Sequence, residues 1–201
     1  MFILASSLNY LGFYTLYVLL NGNNTYTYRE NKILSRNIIC FFFSIFCIVY
    51  AALGDTNTLQ ELILAYFGTD TIIMLLNPVF QHKTYYIHHT FTCMLVLYNI
   101  YHPNTDFYLF HLGGYGEIST VPLCLADSFK NIPKLQDAYP IVNHYSRVSF
   151  AVLFLIVRVG WWTHVVYNCD EVFYIRFVLY SLMFIQYTWA KKVIQTAIKL
   201  L

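Results

Sequence analysis

Apolar residues run through this chain in long blocks broken by short polar clusters, not in the mixed pattern of a soluble fold. A helix that crosses a bilayer needs about 20 mostly apolar residues. Windows near that length fall at 2–20, 36–53, 59–77, 85–101, 106–129, 147–168 and 172–190. Between them lie turn and breaker clusters: Asn21-Gly22-Asn23-Asn24, Gly54-Asp55, Asn77-Pro78, His102-Pro103-Asn104, Asn131-Ile132-Pro133 and Asn168-Cys169-Asp170. The pattern predicts an all-α, polytopic transmembrane helix bundle of about seven helices. No linker is long enough to separate domains, and no repeat or heptad is evident.

Composition sharpens that reading. Of 201 residues, 58% are hydrophobic and 11% charged, whereas a soluble domain carries about 25% charged residues. Nucleic acid is not expected as a partner; membrane lipids are, and homo-oligomerisation stays open.

Charge placement orients the bundle. Arg29, Lys32 and Arg36 fall between the first two windows, Lys83 between the third and fourth, Lys130, Lys134 and Arg147 around the next-but-one connection, and Lys191, Lys192 and Lys199 after the last. The intervening loops read as free of Lys and Arg. This alternation predicts an N-terminus outside or lumenal and a cytoplasmic C-terminus. The first window lacks a basic n-region and a small-residue cleavage site, so it reads as a retained helix. Asn23-Asn24-Thr25 matches a glycosylation sequon but falls on the cytoplasmic side, which predicts no modification. Trp161-Trp162 and Trp189 suit aromatic belts near the membrane surfaces. The cysteines form no CxxC pair, and only Cys169 lies in a lumenal loop, so neither a disulfide framework nor a metal clip is indicated.

The candidate chemistry sits where charge is costly. Ionisable groups at membrane depth are expensive unless paired or facing a cavity. Counting ~1.5 Å of rise per residue places Asp70, Glu117 and Arg158 near the bilayer middle, with His88 and His89 about a turn inside the fourth helix. Helical spacing gives three polar lines: His88, Thr92 and Asn99; Glu117, Thr120, Cys124 and Asp127; Tyr66, Asp70 and Asn77. Neighbouring positions point about 100° apart, so one histidine of the doublet can face a cavity while the other contacts a neighbouring helix or the headgroup region. A structural role is open for each of these residues: Glu117 neutralised by Arg158, and hydrogen bonds tying helices together. A chemical role is open too, since a histidine beside a carboxylate can serve as a general base. Asp70, His88, His89 and Glu117 are the catalytic candidates. Gly113, Gly114 and Gly116 predict a close helix approach beside Glu117, with room for a ligand as the other reading. Multiple HxxxH or HxxHH boxes are missing, His82 being the nearest further histidine, and no metal site is assigned.

The order Tyr66-Phe67-Gly68-Thr69-Asp70, His88-His89, Glu117-Ile118-Ser119-Thr120 and Phe154-Leu155-Ile156-Val157-Arg158 resembles the TLC domain (TRAM, LAG1 and CLN8 homology). The resemblance runs from about residue 30 to 192, with Ser35 ahead of the second helix and Ile185-Gln186-Tyr187-Thr188-Trp189 also fitting. It implies an N-terminal transmembrane helix and loop over 1–29 followed by a TLC-like multi-pass domain over 30–201. It also implies residence in the endoplasmic reticulum, with which the terminal lysines agree. The family includes ceramide synthases, acyl-CoA-dependent N-acyltransferases that acylate sphingoid bases, and members tied to lipid sensing, transport and membrane composition. The histidine doublet and Thr92 are similar to the synthases. Gly116-Glu117-Ile118-Ser119-Thr120 departs from them, because Thr120 stands where their second carboxylate belongs. The segment is closer to the non-synthase members of the transmembrane protein 56 type. Two roles follow. In one, the chain binds, senses or moves a sphingolipid or long-chain acyl lipid through Tyr66, Thr92, Asn99, Ser119, Thr120 and Arg158, and influences membrane lipid composition. In the other it transfers an acyl group, with acyl-CoA as substrate, no resident cofactor, and Arg158 or Lys83 meeting the coenzyme phosphates.

Overall fold

A computed structural model describes residues 2–22, 25–80, 83–102 and 105–198. Asn23 and Asn24 of the sequon, His82, Pro103, Asn104 and Lys199 lie outside the described residues. Among the described residues the chain is all-helical: α1 (Phe2–Gly22), α2 (Tyr28–Leu53), α3 (Thr56–Leu76), α4 (Lys83–Tyr101), α5 (106–131), α6 (Pro133–Ala138), α7 (Pro140–Tyr167) and α8 (Phe173–Ile198). Three of these, α2, α3 and α7, are long and apolar enough to cross a membrane by length and composition.

Local chemistry sets the boundaries. Thr27 and Glu30 close a capping box in which Glu30 N donates to Thr27 Oγ1 (3.3 Å) and Thr27 N to Glu30 Oε2 (2.7 Å). That cap starts α2 well before the sequence window. Arg29, Lys32 and Arg36, expected in a loop, therefore ride on the first turns of a helix. Gly54 ends α2 in the left-handed region at φ 69°. Asp55 at once caps α3, accepting from Thr58 N at 3.0 Å and from Thr58 Oγ1 at 2.7 Å. These donors hold the half-buried Asp55 carboxyl below its ordinary value, the Thr58 hydroxyl contributing most. Proline opens α6 at Pro133 and α7 at Pro140, where a missing N–H costs nothing. The sequence pattern had no separate α6.

Two helices are not uniformly α. α5 passes through a π segment (Leu109–Gly114) and a 3-10 segment (Tyr115–Ser119) before resuming α geometry at Thr120, and α7 is π-wound over Phe154–Trp161.

Packing closes six helices into a ring. In order around it, α2 touches α3, α3 touches α4, α4 touches α8, α8 touches α7, α7 touches α5, and α5 returns to α2. α1 lies outside the ring against α2 and α3. Between α2 and α5 the approach is close: a Cβ on Gly114 would sit 2.3 Å from Ala51 Cβ and 3.4 Å from the Cys47 carbonyl. Glycine is required there because two backbones meet, as the sequence reading anticipated for this patch.

Polarity is distributed inside-out. Phe42, Phe46, Leu53, Ile72, Leu75, Met94, Ile156 and Phe184 are exposed, whereas Asp70, His88, His89, Glu117, Arg158 and Gln186 are buried. A water-facing fold would reverse both sets. One cation departs from the charge pattern of the sequence: Arg176, near the start of α8, stands on the side read as free of Lys and Arg. It donates to Asp170 Oδ1 at 3.0 Å, so its charge is locally balanced.

Candidate functional site

The ring encloses one polar cavity of about 310 Å³. All six ring helices contribute to its wall: Arg36 from α2, Asp70 from α3, His88 and His89 from α4, Glu117 from α5, Arg158 from α7 and Gln186 from α8. The ionisable residues singled out from the sequence thus share one space. Tyr66, Ser119, Thr120, Cys124 and Asp127 also line it, so the polar line on α5 holds in full.

Two ion pairs cross this space. Arg158 Nη2 donates to Glu117 Oε1 at 2.7 Å and to Thr120 Oγ1 at 3.0 Å, while its Nε donates to Ser119 Oγ at 3.3 Å. The Ser44 hydroxyl is shared between the Cys40 carbonyl at 2.8 Å and the other Glu117 oxygen at 3.2 Å. Both charged side chains are almost fully buried, at 7% and 5% exposure, so each depends on the other for solvation. The second pair was not foreseen. Arg36 donates to Asp70 through Nε and Nη2, both at 2.7 Å, in a bidentate fork. The sequence places Arg36 in the basic connection between the first two windows; in the fold it lies on α2 and lines the cavity.

The histidines of the doublet have different surroundings. His89 Nδ1 lies 3.2 Å from Thr71 Oγ1, and Nε2 lies 3.6 Å from Asp70 Oδ2. The Thr71 hydroxyl lies between His89 Nδ1 and the Phe67 carbonyl (2.7 Å), and the direction of the Thr71–His89 contact follows the tautomer of the ring. His88 stands edge-on to Phe67 and Trp189, and its Nδ1 is buried without a partner. Both rings border the cavity, although neighbouring helix positions point about 100° apart. The reason is convergence: the neighbouring helices close over α4 on both of these faces.

Three other expectations shift. Thr92 and Asn99 do not line the polar cavity; they border an adjoining apolar pocket of about 40 Å³ with Val96, Leu112, Trp162 and Leu179. Asn99 is occupied there, accepting from Gln60 at 2.6 Å and donating to Thr105 at 2.8 Å and Asp106 at 3.0 Å. Asn77 leaves the polar line of α3 to accept from the buried Lys32 Nζ at 2.5 Å. Lys83 is not among the residues lining either space. Phe67, His88, Glu117 and Arg158 border both spaces, so they form the partition between a polar chamber and an apolar one.

Gln186 is the residue that sequence reasoning did not select. It is 1% exposed, it lines the cavity, and both its amide oxygen and its nitrogen lack partners. A polar amide between Ile185 and Tyr187 at mid-helix carried the same signal as Asp70. No family model, no curated protein and no solved structure matches this chain.

Proposed function

We propose that the chain is a multi-pass membrane protein of the TLC type that binds, senses or moves a sphingolipid-like or long-chain acyl lipid inside its helical ring and so influences membrane lipid composition. The observation that carries this reading is the partition: one polar chamber of about 310 Å³ adjoins an apolar pocket through His88, Glu117 and Arg158. An amphiphile needs that pairing, a place for its headgroup and an apolar space beside it, and at about 40 Å³ the apolar pocket takes only the beginning of a chain. His88 and Gln186 stand on the wall of the headgroup space, and each carries buried polar atoms without partners that side-chain rotation would offer to a headgroup.

In this reading α1 to α5, α7 and α8 all cross the membrane, the N-terminus is lumenal, and the lipid is met in the endoplasmic reticulum. The apolar outer surface of the ring and the clustering of Lys and Arg at alternate connections support it. The family assignment rests on the residue strings and their order.

Binding is favoured over acyl transfer by the state of the histidines. His89 spends Nδ1 on Thr71 and directs Nε2 at Asp70. His88 keeps a free nitrogen, but among the described residues no carboxylate stands in ion-pairing range of it. Glu117 is spent on Arg158 and Ser44. Among the described residues no imidazole combines an open nitrogen with an orienting carboxylate.

The test is purification in mild detergent, mass spectrometry of retained lipid, and an assay with acyl-CoA plus sphingoid base for wild type and His88→Ala/His89→Ala. Retained lipid without turnover is the expected result. Amide product that disappears in the folded alanine variant would establish the acyltransferase instead.

A further inference from the structure

The polar chamber is not electrically neutral at its rim. Four cations line it, and two of these, Arg36 and Arg158, are neutralised in place by Asp70 and Glu117. The other two are Arg29 on α2 and Lys130 on α5, both exposed at the open side. Neither has a hydrogen-bonded or ion-paired partner among the described residues. The remaining carboxylate of the wall, Asp127, has its oxygens engaged by Asn37 Nδ2 and Asn131 Nδ2, each at 3.0 Å. Even were one cation to turn toward Asp127, the wall itself would keep one positive charge; Glu30, which acts through space on Arg29, is not among the wall residues.

We propose that Arg29 and Lys130 form a phosphate-binding mouth to this cavity, so that the amphiphile it takes carries a phosphate. The inference rests on the lipid-binding reading and narrows its ligand class. A guanidinium offers a planar fork to two phosphate oxygens while an ammonium meets a third as a point charge. Behind the mouth, His88 Nδ1 and the Gln186 amide are buried, unpartnered and on the same wall. Side-chain rotation toward the chamber would offer both to the hydroxyl, ester or amide groups that follow a phosphate in such molecules. The chemistry is shared by a phospholipid and by a phosphorylated acyl carrier such as coenzyme A.

The experiment compares phosphatidic acid and diacylglycerol of identical chains, titrated against the full-length protein in nanodiscs of neutral lipid. Wild type should hold phosphatidic acid about tenfold more tightly, the scale of one net charge-assisted contact. Arg29→Gln/Lys130→Gln should abolish that preference while leaving diacylglycerol binding unchanged, and the latter doubles as the readout of folding. Lys191→Gln/Lys192→Gln removes as much charge without touching the cavity wall and should keep the preference. Displacement of phosphatidic acid by coenzyme A assigns the phosphate to a soluble carrier; resistance to coenzyme A and to inorganic phosphate assigns it to a lipid. Equal binding of the two lipids overturns the proposal but leaves lipid binding standing. So does equal competition by oleate, which has charge without phosphate, or an equal loss in the Lys191/Lys192 variant, which would reveal attraction to the surface alone. Failure to bind either lipid removes the underlying reading as well.

Discussion

Arg158 and Glu117 meet at 2.7 Å across the ring, and neither is presented by ordinary α-helix: Arg158 stands in the π segment of α7 and Glu117 in the 3-10 segment of α5. Departures from α winding are frequent where a helix carries function. Here they place a buried acid and a buried base on facing helices at the partition between the polar and apolar chambers.

Breaking this pair from one side leaves a charge stranded in a dry wall. Arg158→Met should lower stability by about 3–5 kcal/mol, the usual cost of an orphaned buried ion. Glu117→Gln in the same background should recover much of it, since the stranded carboxylate is then gone. Thermal unfolding in detergent reads both. If the double variant is no more stable than Arg158→Met, the pair is not what holds α5 to α7.

Gly114→Ala forces a methyl into the 2.3 Å gap at Ala51. Overpacking of this kind costs about 1–3 kcal/mol. Ala51→Gly opens the same gap from the other side, so Ala51→Gly/Gly114→Ala should be more stable than Gly114→Ala alone. Additive losses in the two variants would mean that α2 and α5 approach less closely than described.

The ring was legible in the sequence only as a list of spans. Blocks of apolar residues gave the helices, and helical spacing gave the α5 stripe of Glu117, Thr120, Cys124 and Asp127 that the cavity keeps. Pairings across helices do not leave a periodic trace. Arg36 reads only as part of a basic connection because its partner, Asp70, is 34 residues away, and Asn77 reads as part of a stripe because Lys32 is 45 residues away. The winding changes in α5 and α7 were equally invisible, since the same apolar residues suit α, π and 3-10 geometry. A capping box, by contrast, is local, and Thr27 with Glu30 could have moved the start of α2 to its observed place.

Asp55 gives a pH-dependent handle outside the apolar segments. Its carboxyl is held below the ordinary value by the Thr58 hydroxyl and then by the Thr58 N–H. A lowered folded-state pKa contributes stability that is fully present above the unfolded value of about 3.9 and is lost as pH falls through the folded value. Asp55→Ala should therefore melt below wild type at neutral pH, with the gap closing toward acid as the wild-type carboxyl protonates. Melting curves collected from neutral pH down to about pH 3 would show it; a gap that stays constant across that range assigns the loss to something other than the charged cap.

Gln186 separates a ligand site from a merely polar core. Its two amide atoms are buried without partners, an arrangement that costs about 1–3 kcal/mol per group in a protein that gains nothing from it. Gln186→Leu is close in size and removes that cost, so the lipid-stripped variant should be more stable than wild type by about 1 kcal/mol or more. The same change deletes hydrogen-bonding capacity from the headgroup chamber, so retained lipid should fall. Stability rising while lipid falls is the signature of a residue kept for binding at the expense of folding. Thermal melting of delipidated protein and mass spectrometry of co-purified lipid measure the two sides independently. A variant that is destabilised yet retains its lipid would show that Gln186 serves the packing of α8 and faces no ligand.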